Sequence, residues 1–136
     1  MKISQLAKTY GVNPDTIRHY VRIGLLVPSY DPTNGYKHFG STQQKRLAFI
    51  LKAKSLGFTL SDIEIILKQT EQGESPCPRV REIMAERLVQ TELKLQAMQK
   101  TYRQMQTAMH KWQHQGDCYP TGQHLCHLIE GIAEEF

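Results

Sequence analysis

The sequence is short of most features that would make a chain of this size an enzyme or a membrane protein. No run of roughly 18 or more apolar residues occurs, so no segment is expected to span a bilayer. Aromatic residues make up 8 % and hydrophobic residues 40 % of 136 positions, which leaves little material for a large buried core. No Walker, Gly-rich phosphate or Ser-His-Asp signature appears, and no acidic cluster supports two-metal chemistry, so a non-enzymatic role is expected. The opening Met1-Lys2-Ile3-Ser4-Gln5 lacks the apolar stretch of a secretion signal, and a cytoplasmic location is the expectation. Three cysteines are odd in number, which argues against a disulfide framework; in a reducing compartment they stay available as thiols.

The charge that is present is unevenly spread. Residues 1–58 carry nine Lys and Arg against Asp15 and Asp31, net +7, whereas the remainder carries eight against eleven Asp and Glu, net −3. Such polarity points the first half toward a polyanion. In that half, Ile3, Leu6 and Ala7 have helical spacing and Gly11 is a natural stop. Asn13-Pro14-Asp15 then offers a cap, a preorganised first turn and a dipole-matched acid for a second helix through Thr16, Ile17, Tyr20 and Val21, closed near Gly24. Two short helices across a tight turn form a helix-turn-helix whose second member is the candidate for the major groove. Asn34-Gly35, set between Leu25-Leu26-Val27 and Tyr36 with Phe39, predicts a small β-wing with Lys37 and His38 near its tip. Ser41-Thr42-Gln43-Gln44 reads as a capping box for a third helix, and Thr59 and Ser61 begin a fourth.

From Val80 the pattern changes. Met84, Leu88, Thr91, Leu95, Met98, Tyr102, Met105, Met109 and Trp112 alternate steps of four and three, with neither Gly nor Pro between Arg79 and Gln115. This is a heptad seam on a helix about 50 Å long at roughly 1.5 Å per residue. A narrow apolar stripe of that length needs a partner, and a second copy of the chain is expected to supply it. Cys77 sits in a Pro-flanked loop before this helix. Cys118 and Cys126 bound a loop after it, followed by Leu125, Leu128, Ile129 and Ile132 as a short amphipathic helix. Thiolates favour soft or borderline metal ions. His124 is the strongest candidate for a fourth ligand, ahead of His114 and His127; His110 reads as structural.

The stretch Ile3-Ser4-Gln5-Leu6-Ala7, Gly11-Val12, Thr16-Ile17-Arg18-His19-Tyr20, Gly24-Leu25-Leu26, Asn34-Gly35-Tyr36-Lys37 and Leu56-Gly57-Phe58-Thr59-Leu60 resembles the MerR family, and the tail resembles its metal-sensing branch. The resemblance implies a mainly α fold: a winged helix-turn-helix DNA-binding domain, a long antiparallel coiled-coil dimerisation helix, and a short C-terminal metal loop and helix. The expected boundaries are 1–70 for the DNA-binding domain, 71–78 for a linker, 79–115 for the dimer helix and 116–136 for the effector segment.

Further implications concern function. A homodimer sits on double-stranded promoter DNA with an over-long spacer and distorts it, so that RNA polymerase is affected through the DNA. Arg18 and Tyr20 match DNA-gripping positions, with Arg18 a phosphate clamp, while Tyr36 and Lys37 match wing contacts. Asn13, Asp15, Thr16 and His19, early on the second helix, are candidates for base readout. Cys77 with Cys118 and Cys126 would bind a thiophilic ion as effector, with zinc, cadmium, lead or mercury favoured over copper(I) because Cys77 stands where sensors of monovalent ions commonly have Ser. Three positions depart from the family pattern: Lys37 replaces a common Arg, Phe39 a common Tyr and Val21 a frequent Glu, and the Cys77-to-Cys118 interval is several residues longer. A thiol-redox sensor and a regulator answering organic effectors remain alternative readings.

Overall fold

Local chemistry explains where each element starts and stops in the computed structural model, which describes residues 1–133. Helix α1 (Ile3–Tyr10) begins with the Gln5 side chain accepting the Lys2 backbone N–H at 3.2 Å. It ends at Gly11, whose φ of 67° lies in the left-handed region that glycine enters without strain. The tight turn leads to Asn13, whose side chain accepts the Asp15 N–H at 2.8 Å, and Pro14 occupies the first helical position of α2 (Pro14–Arg22). This is the expected helix-turn-helix.

The wing is a two-stranded antiparallel ribbon, β1 (Ser29–Tyr30) with β2 (Lys37–His38), pairing Ser29 with His38 and Tyr30 with Lys37. The Asn34-Gly35 turn forms as expected. Asp31 organises it, accepting N–H groups of Thr33 through its side chain and of Gly35 through its carbonyl, both at 2.8 Å. Lys37 and His38 are not at the tip, as the sequence suggested, but in the strand, because residues 31–36 are consumed by this turn. Leu25 and Leu26 do not belong to the ribbon either; both are buried in the core immediately after α2.

Helix α3 (Ser41–Ser55) also starts differently from expectation. Gly40 is its N-cap and no side chain caps it. The two glutamines of the anticipated capping box have other partners. Gln43 accepts the Val27 N–H at 2.8 Å, and Gln44 donates to the Phe39 carbonyl at 3.0 Å, so both tie the helix start to the wing. Leu6, Ile17, Leu26, Phe39, Leu47, Ile50 and Ile63 are the largest fully buried side chains of the core.

Helix α4 (Leu60–Glu71) opens with a reciprocal capping box: Asp62 N–H donates to Thr59 Oγ1 at 3.1 Å, and Thr59 N–H donates to Asp62 Oδ2 at 2.9 Å. The same carboxylate receives a forked pair from Arg87, Nε at 2.9 Å and Nη2 at 3.0 Å. Arg87 belongs to α5 (Cys77–Trp112), a single helix of 36 residues. The chain divides into two compact units, Met1–Arg87 and a second from Leu88 onward, and the division falls inside α5. Val80, Ile83 and Met84 pack on the core of the first unit. Met84, which its spacing placed in the seam, packs instead on its own domain and is half-buried there.

In the second unit, Trp112 is half-buried and its indole N–H donates to the Leu128 carbonyl at 3.1 Å. It is engaged within its own chain and corrects its placement in the seam. The terminal helix α6 is only His127–Glu130, four residues, since extended Cys126 precedes it and Gly131 follows. Leu125 and Ile132 lie outside it, and Leu125 is 85 % exposed, so the anticipated longer amphipathic helix is absent among the described residues. The last three positions of the expected 116–136 segment lie outside the described residues.

The Arg87 hydrogen bonds hold the Asp62 carboxyl down at about 2, against the opposing effect of its burial and with help from Thr59. A folded pKa below the unfolded value means stability that is present above about pH 4 and lost as pH falls toward 2. Asp62→Asn should lower unfolding stability by about 2–3 kcal/mol at neutral pH. Urea titrations across pH should also show a flatter acid limb in the variant; an acid limb equal to that of the wild type would remove Asp62 from this role.

Candidate functional site

One face of the first unit gathers the second helix and the wing around a cleft of about 460 Å³. Arg18, Tyr36 and Lys37, the sequence-based candidates for backbone contact, all line it. Lys2 and Tyr30 line it too, and the sequence reading did not single them out. Lys2 Nζ stands 4.8 Å from the Tyr36 ring centroid, a cation–π contact. The Arg18 guanidinium is held by Asp15 at 2.6 Å, with the two side chains 55 % and 82 % exposed. A pair so exposed contributes at most about 1 kcal/mol, so a competing phosphate can displace the carboxylate.

The other predicted residues divide. Asn13 and His19 are exposed and Thr16 is half-buried, all near the start and outer face of α2. Asn13 has its side-chain oxygen committed to the cap. Tyr20 is a correction: it is only 5 % exposed, and burial raises its phenol pKa, so it is a core residue rather than a surface grip. Its spacing from Ile17, three residues on one helix face, is the signal that favoured burial.

A second feature runs along α5. Leu88, Leu95, Met98, Tyr102, Met105 and Met109 keep the heptad spacing and each is more than half exposed. Ala108, off that stripe, is buried, and with Arg103 and Lys111 it lines a groove closed by Ile129 and Ile132. The C-terminal segment thus covers a different face of α5 and leaves the stripe bare.

The third feature is the thiols. Cys77 is exposed as the first residue of α5, with its N–H 3.4 Å from Ser75 Oγ; Cys118 is exposed and Cys126 half-buried, and all three are free. Among the described residues of the single chain, no group of three or more His, Cys, Asp or Glu could hold a metal ion. The Cys118–Cys126 loop is nevertheless ordered by specific bonds. Thr121 Oγ1 accepts the N–H groups of Gln123 and His124, and Glu130 accepts those of Leu125 and Cys126 at 2.7 and 2.6 Å. Those backbone donors, Cys126 foremost and Leu125 next, hold the Glu130 carboxyl below its usual range. Glu130 was absent from the sequence-based candidates; an acid four residues after Cys126 is its only signal. His124 Nδ1 lies 3.3 Å from Glu130 Oε2, which leaves Nε2 as its other ring nitrogen. His110 and His114 pack edge to face at 5.8 Å.

The helix-turn-helix, wing and long helix occur together in known regulators. The profile described as "MerR HTH family regulatory protein" matches residues 1–70, and that described as "MerR, DNA binding" matches residues 44–108. The chain belongs to the MerR family of DNA-binding transcriptional regulators and is a regulator, not an enzyme. Among relatives, it is 28 % identical over 133 residues to heavy metal-dependent transcription regulator 2 of Rhizobium meliloti (strain 1021), covering 98 % of this chain and 86 % of that one. It is 30 % identical over 106 residues to the HTH-type transcriptional regulator ZntR of Escherichia coli (strain K12), covering 77 % and 75 %. Among solved structures, the transcription regulator PbrR691 from Ralstonia metallidurans CH34, in complex with lead(II), shares the fold at a TM-score of 0.69 and 21 % identity over 98 % of this chain and 99 % of that one.

Asp15→Asn releases Arg18 and deletes a negative charge from the cationic face. Affinity for duplex DNA of mixed sequence at low salt should rise about 3- to 10-fold, on the order of 1 kcal/mol. An unchanged or weaker affinity would show that the ion pair does not restrain Arg18.

Proposed function

We propose that the chain is a metal-responsive transcriptional regulator that binds promoter DNA in the cytoplasm as a homodimer and activates transcription by distorting an over-long promoter spacer. The observation that carries this reading is the bare apolar stripe of α5, Leu88 to Met109, on a helix that starts at one cysteine and is followed by two more. Fully burying an exposed Leu or Met side chain contributes about 1.5–3 kcal/mol, so Leu88, Leu95, Met98, Met105 and Met109 with Tyr102 on each subunit can offset an association cost of about 4–15 kcal/mol. Pairing two stripes antiparallel brings Cys77 of one subunit toward the Cys118–Cys126 loop of the other. The site is then completed only between subunits, which accords with the lack of a ligand cluster within one chain among the described residues.

The donor set fits a thiophilic ion. Three free thiols, two of them exposed, offer the soft ligands that zinc, cadmium, lead or mercury take, and His124 Nε2 is a further donor. Relatives named for heavy-metal dependence support the same class of effector. When bound, the ion supplies thiolate bonds that hold the ends of the paired helices together. The protein does the rest: Glu130 and Thr121 keep the loop shaped, and Arg87 with Asp62 fastens α5 to the DNA-binding unit. Smoothly bending a site of about 20–30 base pairs costs on the order of 1–6 kcal/mol, so the effector need only favour the distorting conformation by a similar margin.

Leu95→Asp places a carboxylate in the stripe and should weaken the dimer at least about 100-fold, since an unpaired charge in an apolar contact costs about 3 kcal/mol or more. Sedimentation should then give single subunits, DNA affinity should collapse, and the cadmium–thiolate ultraviolet band should fade. Gln96→Asp, off the stripe, should change none of these. A dimer that survives Leu95→Asp intact would count decisively against pairing along α5.

A further inference from the structure

The cleft between the start of α1, the start of α2 and the wing holds more positive charge than the predicted DNA contacts supply. Lys2, Arg18 and Lys37 all line it, and no carboxylate does. Lys2 has no carboxylate partner among the described residues, and its ammonium rests on the Tyr36 ring at 4.8 Å. A ring face satisfies the charge from one side only, so N–H donors of the ammonium remain available to a second, anionic partner. The contact also limits the rotamer freedom of a long side chain, which reduces the entropy lost when an anion is bound. Tyr30 pairs directly with Lys37 across the ribbon, and paired residues project from the same face of a sheet, so its phenol and the Lys37 ammonium enter the cleft together.

We infer that Lys2 and Tyr30 bind the phosphodiester backbone of duplex DNA, joining Arg18, Tyr36 and Lys37 in one seat. This rests on the reading of Arg18 and the wing as DNA-facing. The chemistry is that of a charge-assisted donor set on one anionic strand: three cations and two phenols around a cleft of about 460 Å³. Lysine at position 37 lacks the forked donors of an arginine, and Lys2 adds a second point charge beside it.

The test uses the dimer and a mixed-sequence duplex of about 30 base pairs, with affinity followed between about 50 and 200 mM salt. Lys2→Ala should reduce the slope of log affinity against log salt by about 0.9 for each subunit engaged, as Arg18→Ala should, and Lys2→Arg should restore it. Tyr30→Phe should weaken binding by about threefold with the slope unchanged, since it deletes a neutral donor. A Lys2→Ala slope equal to that of the wild type, while Arg18→Ala flattens it, would overturn the assignment of Lys2 and leave the interface standing. Unchanged slopes in both variants would overturn the assignment together with the DNA-facing reading of the cleft.

Discussion

Asp62 accepts three hydrogen bonds from two parts of the fold: one from the N–H of Thr59 at the start of its own helix, and two from the guanidinium nitrogens of Arg87 on α5. Being 6 % exposed, the carboxylate is costly to bury without such partners, and the arginine is aligned by meeting both oxygens. This one contact makes the first turns of α5 part of the DNA-binding unit, with Ile83 buried behind it and Val80 and Met84 packed alongside. Whatever fixes the remainder of the helix therefore acts on an element already anchored next to the capping box of α4. A flexible linker at the same place would isolate the wing and helix-turn-helix from events farther along the chain.

The side proposed to face DNA obeys a different balance. Arg18 and Lys2 are exposed and weakly held, Arg18 by a solvated carboxylate and Lys2 by an aromatic ring, while Lys37 is half-buried in its two-residue strand. Weak restraint suits a surface whose partner carries one phosphate charge after another, because each internal contact must be given up or supplemented on binding. The rigid part lies beneath, where Phe39 is fully buried and its N–H meets the Met1 carbonyl at 2.7 Å, setting the wing against the N-terminal helix.

Much of this was legible in the residues. Gly11, Asn13-Pro14 and Asn34-Gly35 stop, start and turn the chain where their backbone preferences require. Thr59 caps α4 through local bonds, and the heptad from Leu88 to Met109 is a bare stripe. Several of the misreadings share a cause: the deciding partner lies elsewhere in the chain. Periodicity cannot tell Met84 from Leu88, yet Met84 packs on a core built from elements earlier in the chain while Leu88 stays exposed. Trp112 has heptad spacing, but its indole N–H finds the Leu128 carbonyl 16 residues on. The glutamines of the supposed capping box before α3 bond instead to Val27 and Phe39. Tyr20 shows the reverse case, where plain helical spacing was a better guide than family likeness.

The proposed metal site depends on a second subunit. Cys77 opens α5 in the first compact unit, whereas Cys118 and Cys126 belong to the second, where Glu130 and Thr121 shape the loop between them. The most direct test mixes two defective proteins, one carrying Cys77→Ser and the other Cys118→Ser with Cys126→Ser, and isolates the mixed dimer. The account predicts that this dimer recovers a tightly held cadmium ion with the absorbance of three thiolates, which neither parent displays. A mixed dimer that binds cadmium no better than its parents would contradict a site shared between subunits.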